Sequence, residues 1–249
     1  MADGSWSRQI CGRRTTGMGL TELTMDLAAS TDCRVEATEL FGVERLSEQR
    51  LNVLRDLLDH SFYRRWVEGG LSIHELQGYA CQYAHVVGHL PRWLRRTASC
   101  SGAYASSLGA HATEEEAHVR LWAEFASATG VSESELTSAR PNRATAELLR
   151  LGDELSAQPT GVAVAWALEV QTPAVSAEKL KGLSAHFGID DKNGGGYFQV
   201  HASRDLVHAD ELNTAIADLS EDQLRVAQLA ADQITCGLWD LLSSVEHAA

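Results

Sequence analysis

Two stretches far apart in the chain, His111-x-x-x-Glu115-x-x-His118 and His201-x-x-x-Asp205-x-x-His208, set metal-ligating side chains at i, i+4 and i+7. At 3.6 residues per turn those positions fall in one narrow helical stripe, so each segment aims imidazole, carboxylate and imidazole in one direction. Each also holds a carboxylate-x-x-His pair, the unit that dinuclear iron and manganese sites in helix bundles use. An Asp or Glu three residues before a His occurs nowhere else in the chain. Imidazole with carboxylate suits Fe, Mn or Zn, and the lack of cysteine in either comb leans away from structural zinc.

The first comb overlaps the run Glu114-Glu115-Glu116, and such runs are commonly solvated faces. Glu115, Glu114 and His111, three, four and seven residues before His118, all reach its side of a helix, and spacing alone does not choose among them. Glu169 offers a third source of ligands, because it ends the apolar run Gly161-Val-Ala-Val-Ala-Trp-Ala-Leu. A carboxylate buried there is costly unless it is paired or bound to a cation. Pro173, four residues on, removes the helical hydrogen bond to the Glu169 carbonyl and predicts a bend. Three helices thus each supply donors. Two ions about 3.5–4 Å apart, bridged by carboxylate, would use them all and leave room for O2.

Other chemistry is poorly supported. Gly194-Gly195-Gly196 follows no strand and precedes no GK[ST], so it reads as a flexible linker rather than a phosphate cradle. His74, His85, His89, His186 and His247 have no phased partners. Cys81 and Cys100 have no histidine that sequence pairs with them as a nucleophile requires.

The elements that must position these groups are helical. Leu46, Leu51, Leu54, Leu57 and Leu58 recur at three- and four-residue spacing, predicting a helix from Glu44 that breaks at Gly69-Gly70. Ser72 and Glu75 form a capping-box signature for a second helix, with a bend at Pro91. Further helices are predicted over about 104–129, 143–157, 161–187, 197–217 and 220–244, with Ser132-x-x-Glu135 and Pro141 marking a connection. Residues 1 to about 40 are rich in Ser, Thr and Gly and read as a mobile extension with one short helix near Leu20–Ala29. No β-alternation of useful length occurs. The chain therefore reads as one all-α domain, residues 41–249, of about seven helices.

With 249 residues, 44% hydrophobic and 22% charged, the chain has ordinary globular composition. Its net charge of −13 excludes the basic footprint that nucleic-acid binding needs. No apolar run approaches the roughly 18–20 residues of a membrane span, and the N-terminal segment lacks the apolar block of a signal peptide. Five scattered cysteines without a CxxC suit a reducing compartment, so a cytoplasmic location is expected.

The residues resemble the heme-oxygenase-like dimetal oxidases and oxygenases, the wider group of which includes TenA thiaminases and the cofactor-synthesis oxidase PqqC. The likeness is carried by His60-Ser-Phe-Tyr63-Arg-Arg-Trp66, Leu71-Ser-x-x-Glu75-Leu-Gln77-x-Tyr79, His118-x-x-Leu-Trp122, Glu169-x-Gln171-x-Pro173, Glu178-Lys179 and Tyr197-Phe198-x-x-His201-x-x-x-Asp205-x-x-His208. It spans roughly residues 45–245. It implies a heme-oxygenase-like bundle with His118, Glu169, His201, Asp205 and His208 on two Fe ions, or a mixed Mn/Fe pair, and O2 as co-substrate. Close relatives carry Glu seven residues before the first His, where this chain has His111; others use Glu three residues before it, which is Glu115 here.

The resemblance also implies catalytic roles for Tyr63 and Lys179, since they match side chains that a chlamydial relative sacrifices to make 4-aminobenzoate. A tyrosine beside the central Glu of that relative is Leu168 here. In this family the last core helix often orders only on metal binding, which predicts reduced order near residues 188–215 in metal-free protein. The substrate expected is a small amine- or carboxylate-bearing metabolite, with a homodimer as the assembly and an external electron donor as an option. The rivals are a metal-free TenA-like hydrolase or PqqC-like cofactorless oxidase, the self-sacrificing synthase, and a non-enzymatic scaffold.

Overall fold

A computed structural model describes residues 51–246, which lie within one compact unit. The expected extension with a short helix, and the start of the helix expected from Glu44, lie outside the described residues. The described part is all-α. Its α-helices are α1 (Ser61–Glu68), α2 (Ile73–Cys100), α3 (Ala105–Ala128), α4 (Glu133–Ser138), α5 (Arg143–Leu155), α6 (Val162–Glu169), α7 (Thr172–Phe187), α8 (Gly196–Ala217) and α9 (Glu221–Glu246). About seven helices were expected. The two additional ones are α4, a single capped stretch inside the predicted connection, and the division of 161–187 into α6 and α7.

The leucine spacing before Gly69 misleads. Residues 51–56 carry no helix, and Leu57–Asp59 form only a 3-10 turn. Side chains take over the backbone groups there. Asp56 accepts from the Leu58 N–H, and the Gln171 amide bridges the Leu57 N–H and the Arg55 carbonyl at 2.8 and 3.0 Å. His60 then caps α1, its Nδ1 accepting from the Phe62 N–H at 3.0 Å. Gly69, with φ of +74°, ends α1 in the left-handed conformation that favours glycine. The capping box of Ser72 and Glu75 is formed, and α2 continues through Pro91 as one element.

α3 packs antiparallel along α2 and also against α8, while α6 lies against α8 and α9. An aromatic slab of Trp66, Tyr79, Trp122, Phe125 and Phe198 joins α1, α2, α3 and α8, with Trp66, Trp122, Tyr79, Phe125 and Phe198 almost wholly buried. Each such side chain contributes about 1.5–3 kcal/mol by burial. The indole N–H groups are satisfied within it, Trp66 donating to the Lys179 carbonyl at 3.0 Å and Trp122 to the Ala80 carbonyl at 2.9 Å. Gly182 lets α7 approach this slab, because a Cβ there would stand 2.5 Å from the Trp66 ring. The slab fixes α3 against α8, which sets the two ligand combs face to face.

Residues 190–196 form a hydrogen-bonded turn. The Asp190 carboxylate accepts from the Lys192 and Asn193 N–H groups, and its carbonyl accepts from the Gly195 N–H at 2.7 Å. Among the described residues no helix is long and apolar enough to cross a membrane.

Candidate metal centre

All seven candidate ligands meet in the interior. His111, Glu115 and His118 from α3, Glu169 from α6, and His201, Asp205 and His208 from α8 are each buried. Glu169 is brought there by the interruption before Pro173, where a bend was expected: α6 stops at Glu169 and α7 starts afresh at Thr172. The residues of α6 are buried throughout, so the carboxylate at its end sits in an apolar surround.

The donors fall into two neighbouring groups, His111–Glu115–His208 and Glu115–His118–His201, with ligand atoms in each group within 4.8 Å of one another. Glu115 belongs to both. The His111 and His208 rings lie 3.6 Å apart by centroid, and those of His118 and His201 lie 4.6 Å apart. Glu115 Oε1 is 3.0 Å from His118 Nδ1, and its Oε2 is 3.5 Å from His201 Nε2. Glu169 Oε1 sits 2.9 Å from His111 Nε2, yet the two are not aligned as a hydrogen bond. His208 Nδ1 faces three carboxylates at 3.6–3.9 Å, those of Glu169, Asp205 and Glu115.

Those contacts leave a set of orphaned atoms. His111 Nε2, His201 Nε2, His208 Nδ1 and both carboxylate oxygens of Glu169 and of Asp205 are buried without hydrogen-bond partners. Burial, aided by the nearby charges of Asp205 and Glu115, pushes the Glu169 carboxyl well above the usual range. Burial also acts to raise Glu115, but its contacts with His118 and His201 outweigh that and hold it low. Burial opposes charge on His201, although the Glu115 contact raises it overall, while burial depresses His111. Three carboxylates crowd into one buried pocket, where ionising them all together is unfavourable. Two divalent cations would offset them and fill the orphaned lone pairs, and the donor chemistry fits Fe or Mn.

The outer contacts orient the imidazoles. His201 Nδ1–H donates to the Tyr197 carbonyl at 2.7 Å, which leaves Nε2 facing inward. The Tyr197 ring stacks on His201 at 3.9 Å. Glu114, one of the candidates that spacing left open, points away from the centre and receives Arg204 and the far side of His208. Sequence reasoning did not single out Arg204, and it named Tyr197 only within the family motif, with no role assigned. Arg204 stands one residue before Asp205 as Glu114 stands one before Glu115, a register that repeats on both combs. Among the described residues, no metal-holding group includes His74, His85, His89 or His186.

A pocket opens on Glu115, Glu169, His201 and Asp205. Tyr83, Leu168, Thr172 and Tyr197 line both it and a second pocket, which Tyr63, Ser176 and Lys179 also line. Lys179 is buried rather than a surface residue. Its Nζ donates to the Tyr79 hydroxyl at 2.6 Å and lies 4.7 Å from the Tyr63 ring centroid. Burial holds its amine well below the ordinary lysine range and raises the neighbouring phenols of Tyr63 and Tyr79.

Fold and site together define a class. The chain belongs to the family of iron-containing redox enzymes, whose model matches residues 77–239, and it is an oxidoreductase. It is 33% identical to a 4-aminobenzoate synthase of Chlamydia muridarum over 82% of this chain and 92% of that one. A 4-aminobenzoate synthase of Nitrosomonas europaea is 29% identical over 78% and 87%. Among solved structures, a heme-oxygenase-like domain of unknown function from Shewanella denitrificans superposes with a TM-score of 0.69 at 18% identity, covering 76% of this chain and 85% of that one. A TenA homologue from Pseudomonas syringae gives 0.68 at 16%, covering 77% and 86%. At these identities the structural neighbours establish the fold.

Proposed function

We propose that this redox enzyme is a dinuclear, O2-using oxidase or oxygenase of a small amine- or carboxylate-bearing group. His111, Glu115, His118, Glu169, His201, Asp205 and His208 would hold two iron ions, or one iron and one manganese. The observation that carries the reading is the sharing of Glu115 between two histidine pairs, surrounded by orphaned donor atoms. Such ions, when bound, supply the O2 chemistry that side chains alone do not. The chain's own residues do the rest. Glu169 and Asp205 balance charge, the Tyr197 carbonyl fixes the His201 tautomer, and Val86, Val87 and Leu90 wall the cavity against water.

A metal-free hydrolase or oxidase would have to bury these carboxylates without compensation, at several kcal/mol per ion. Elemental analysis after growth with both metals, together with O2 uptake, tests the choice. If the protein holds no metal and His201→Ala leaves activity intact, the metal-free rival stands. A homodimer, an external electron donor and a cytoplasmic setting belong to the same proposal, and they rest on the resemblance and the cysteine pattern alone.

A second reading, production of 4-aminobenzoate from the chain's own side chains, is favoured by the contact between Tyr63 and Lys179 and by the names of the relatives. Tyr63 would supply the ring and Lys179 the amino nitrogen. Leu168, where a relative has tyrosine, lines both cavities. Protein labelled with ring-13C tyrosine and 15N lysine, loaded with Fe(II) and exposed to O2, should release doubly labelled product by mass spectrometry. Unlabelled product, or none, rejects self-sacrifice and leaves a free substrate.

A further inference from the structure

The two α8 imidazoles are backed by different partners. His201 leans on the neutral Tyr197 carbonyl, whereas His208 Nε2–H donates to the Glu114 carboxylate at 3.3 Å. Arg204 grips that carboxylate with Nε and Nη2, each at 2.6 Å, so the contact is a two-pronged fork. The pair spans α3 and α8 on the solvent side of the combs, with side chains 40% and 38% exposed. An ion pair this exposed adds about 0–1 kcal/mol to stability, so holding the fold together does not account for it. It does decide which His208 nitrogen carries the proton. With Nε2–H turned to Glu114, the buried and unpartnered Nδ1 presents its lone pair to Glu115, Glu169 and Asp205.

We propose that Glu114, held by Arg204, is a positioning residue for the His111–His208 half of the centre, and that the His118–His201 half does not depend on it. The inference rests on the dinuclear reading. A carboxylate behind an imidazole fixes its tautomer and raises its basicity, and losing such a partner weakens metal binding by about 10–100-fold. The carbonyl behind His201 does the same job without charge, which makes the two halves unequal by construction.

The test is anaerobic titration of the metal-free full chain with Fe(II) against a chromophoric chelator, in wild type and in Glu114→Gln, Glu114→Ala and Arg204→Gln. One of two binding steps is expected to weaken by about 10–100-fold while the other is unmoved. Arg204→Lys, which keeps the charge and loses the fork, should recover part of the loss. Glu116→Gln, whose partner Arg95 lies on the outer face, serves as the control. Metal-free melting of each variant should match wild type, since both side chains are half exposed. Two unchanged steps overturn the proposal, and so do two equally weakened ones. A wild-type chain that takes up no pair of irons defeats the dinuclear reading before any variant is made, and this inference with it.

Discussion

Lys179 Nζ lies 4.7 Å from the centroid of the Tyr63 ring, inside the bundle and in a pocket that shares Tyr83, Leu168, Thr172 and Tyr197 with the pocket at the candidate metal centre. Its one hydrogen bond is to the Tyr79 hydroxyl, and four further aromatic rings surround it within 4.9–5.7 Å. Aromatic faces attract a cation only modestly, and burial depresses the amine. A lysine kept in this place costs stability.

Lys179→Met should therefore stabilise the chain while abolishing any reaction that uses the amine. With the folded-state pKa lowered, the unfolded chain binds more protons below the ordinary lysine value, so wild-type stability rises with pH up to that value. Thermal melts from pH 7 to 10 should show that slope in wild type and its loss in the variant. The midpoint at pH 7 should rise by about 2–4 °C for each kcal/mol recovered. A destabilised Lys179→Met would mean that the amine contributes more than it costs.

Glu115 belongs to both candidate donor groups, and His118 to one. Glu115→Ala should reduce bound iron to well below one ion per chain, whereas His118→Ala should retain the His111–His208 half. Elemental analysis of the two variants, purified alike, distinguishes them. Equal losses would count against sharing of Glu115.

Metal binding should slow amide hydrogen exchange across residues 188–215, because α8 carries three of the proposed ligands and hangs on the turn at 190–196. At a free metal concentration 100 times Kd the gain is about 2.7 kcal/mol, and the protection should be greatest around His201–His208. Exchange in this segment that ignores Fe(II) and Mn(II) alike would contradict the coupling.

Asp232 gives a pH signature remote from the centre. Burial pushes its carboxyl up to about 6, against a lowering contact from Gln228. The folded state thus holds the proton to higher pH than the unfolded chain, so stability is lost as pH rises from about 4 through 6. Asp232→Asn should add on the order of 1–3 kcal/mol at pH 7 and flatten the profile across that window. Urea melts between pH 4 and 7 measure both.

Much of the bundle was legible along the chain because helices are local. Ser72 and Glu75, Ser132 and Glu135, Gly69 and Gly188 marked ends that the structure places within a residue or two. The exception was the stretch before α1, where leucines at helical spacing lie on non-helical chain. Gln171, more than a hundred residues away, satisfies that backbone, and no local pattern announces such a partner.

Spacing alone placed the two combs, since i, i+4 and i+7 share a face whatever surrounds them, and the apolar run around Glu169 marked a carboxylate that had to be compensated. Only the packing of α3 against α8 decided among the alternatives on the first comb. It turned His111 and Glu115 inward and gave Glu114 to Arg204, because one turn of helix offers all three side chains and the neighbouring helix selects among them. The burial of Lys179 was equally a tertiary matter. A lysine looks the same in sequence on a wet face as in a cage of rings, and the cage is assembled from α1, α2, α7 and α8.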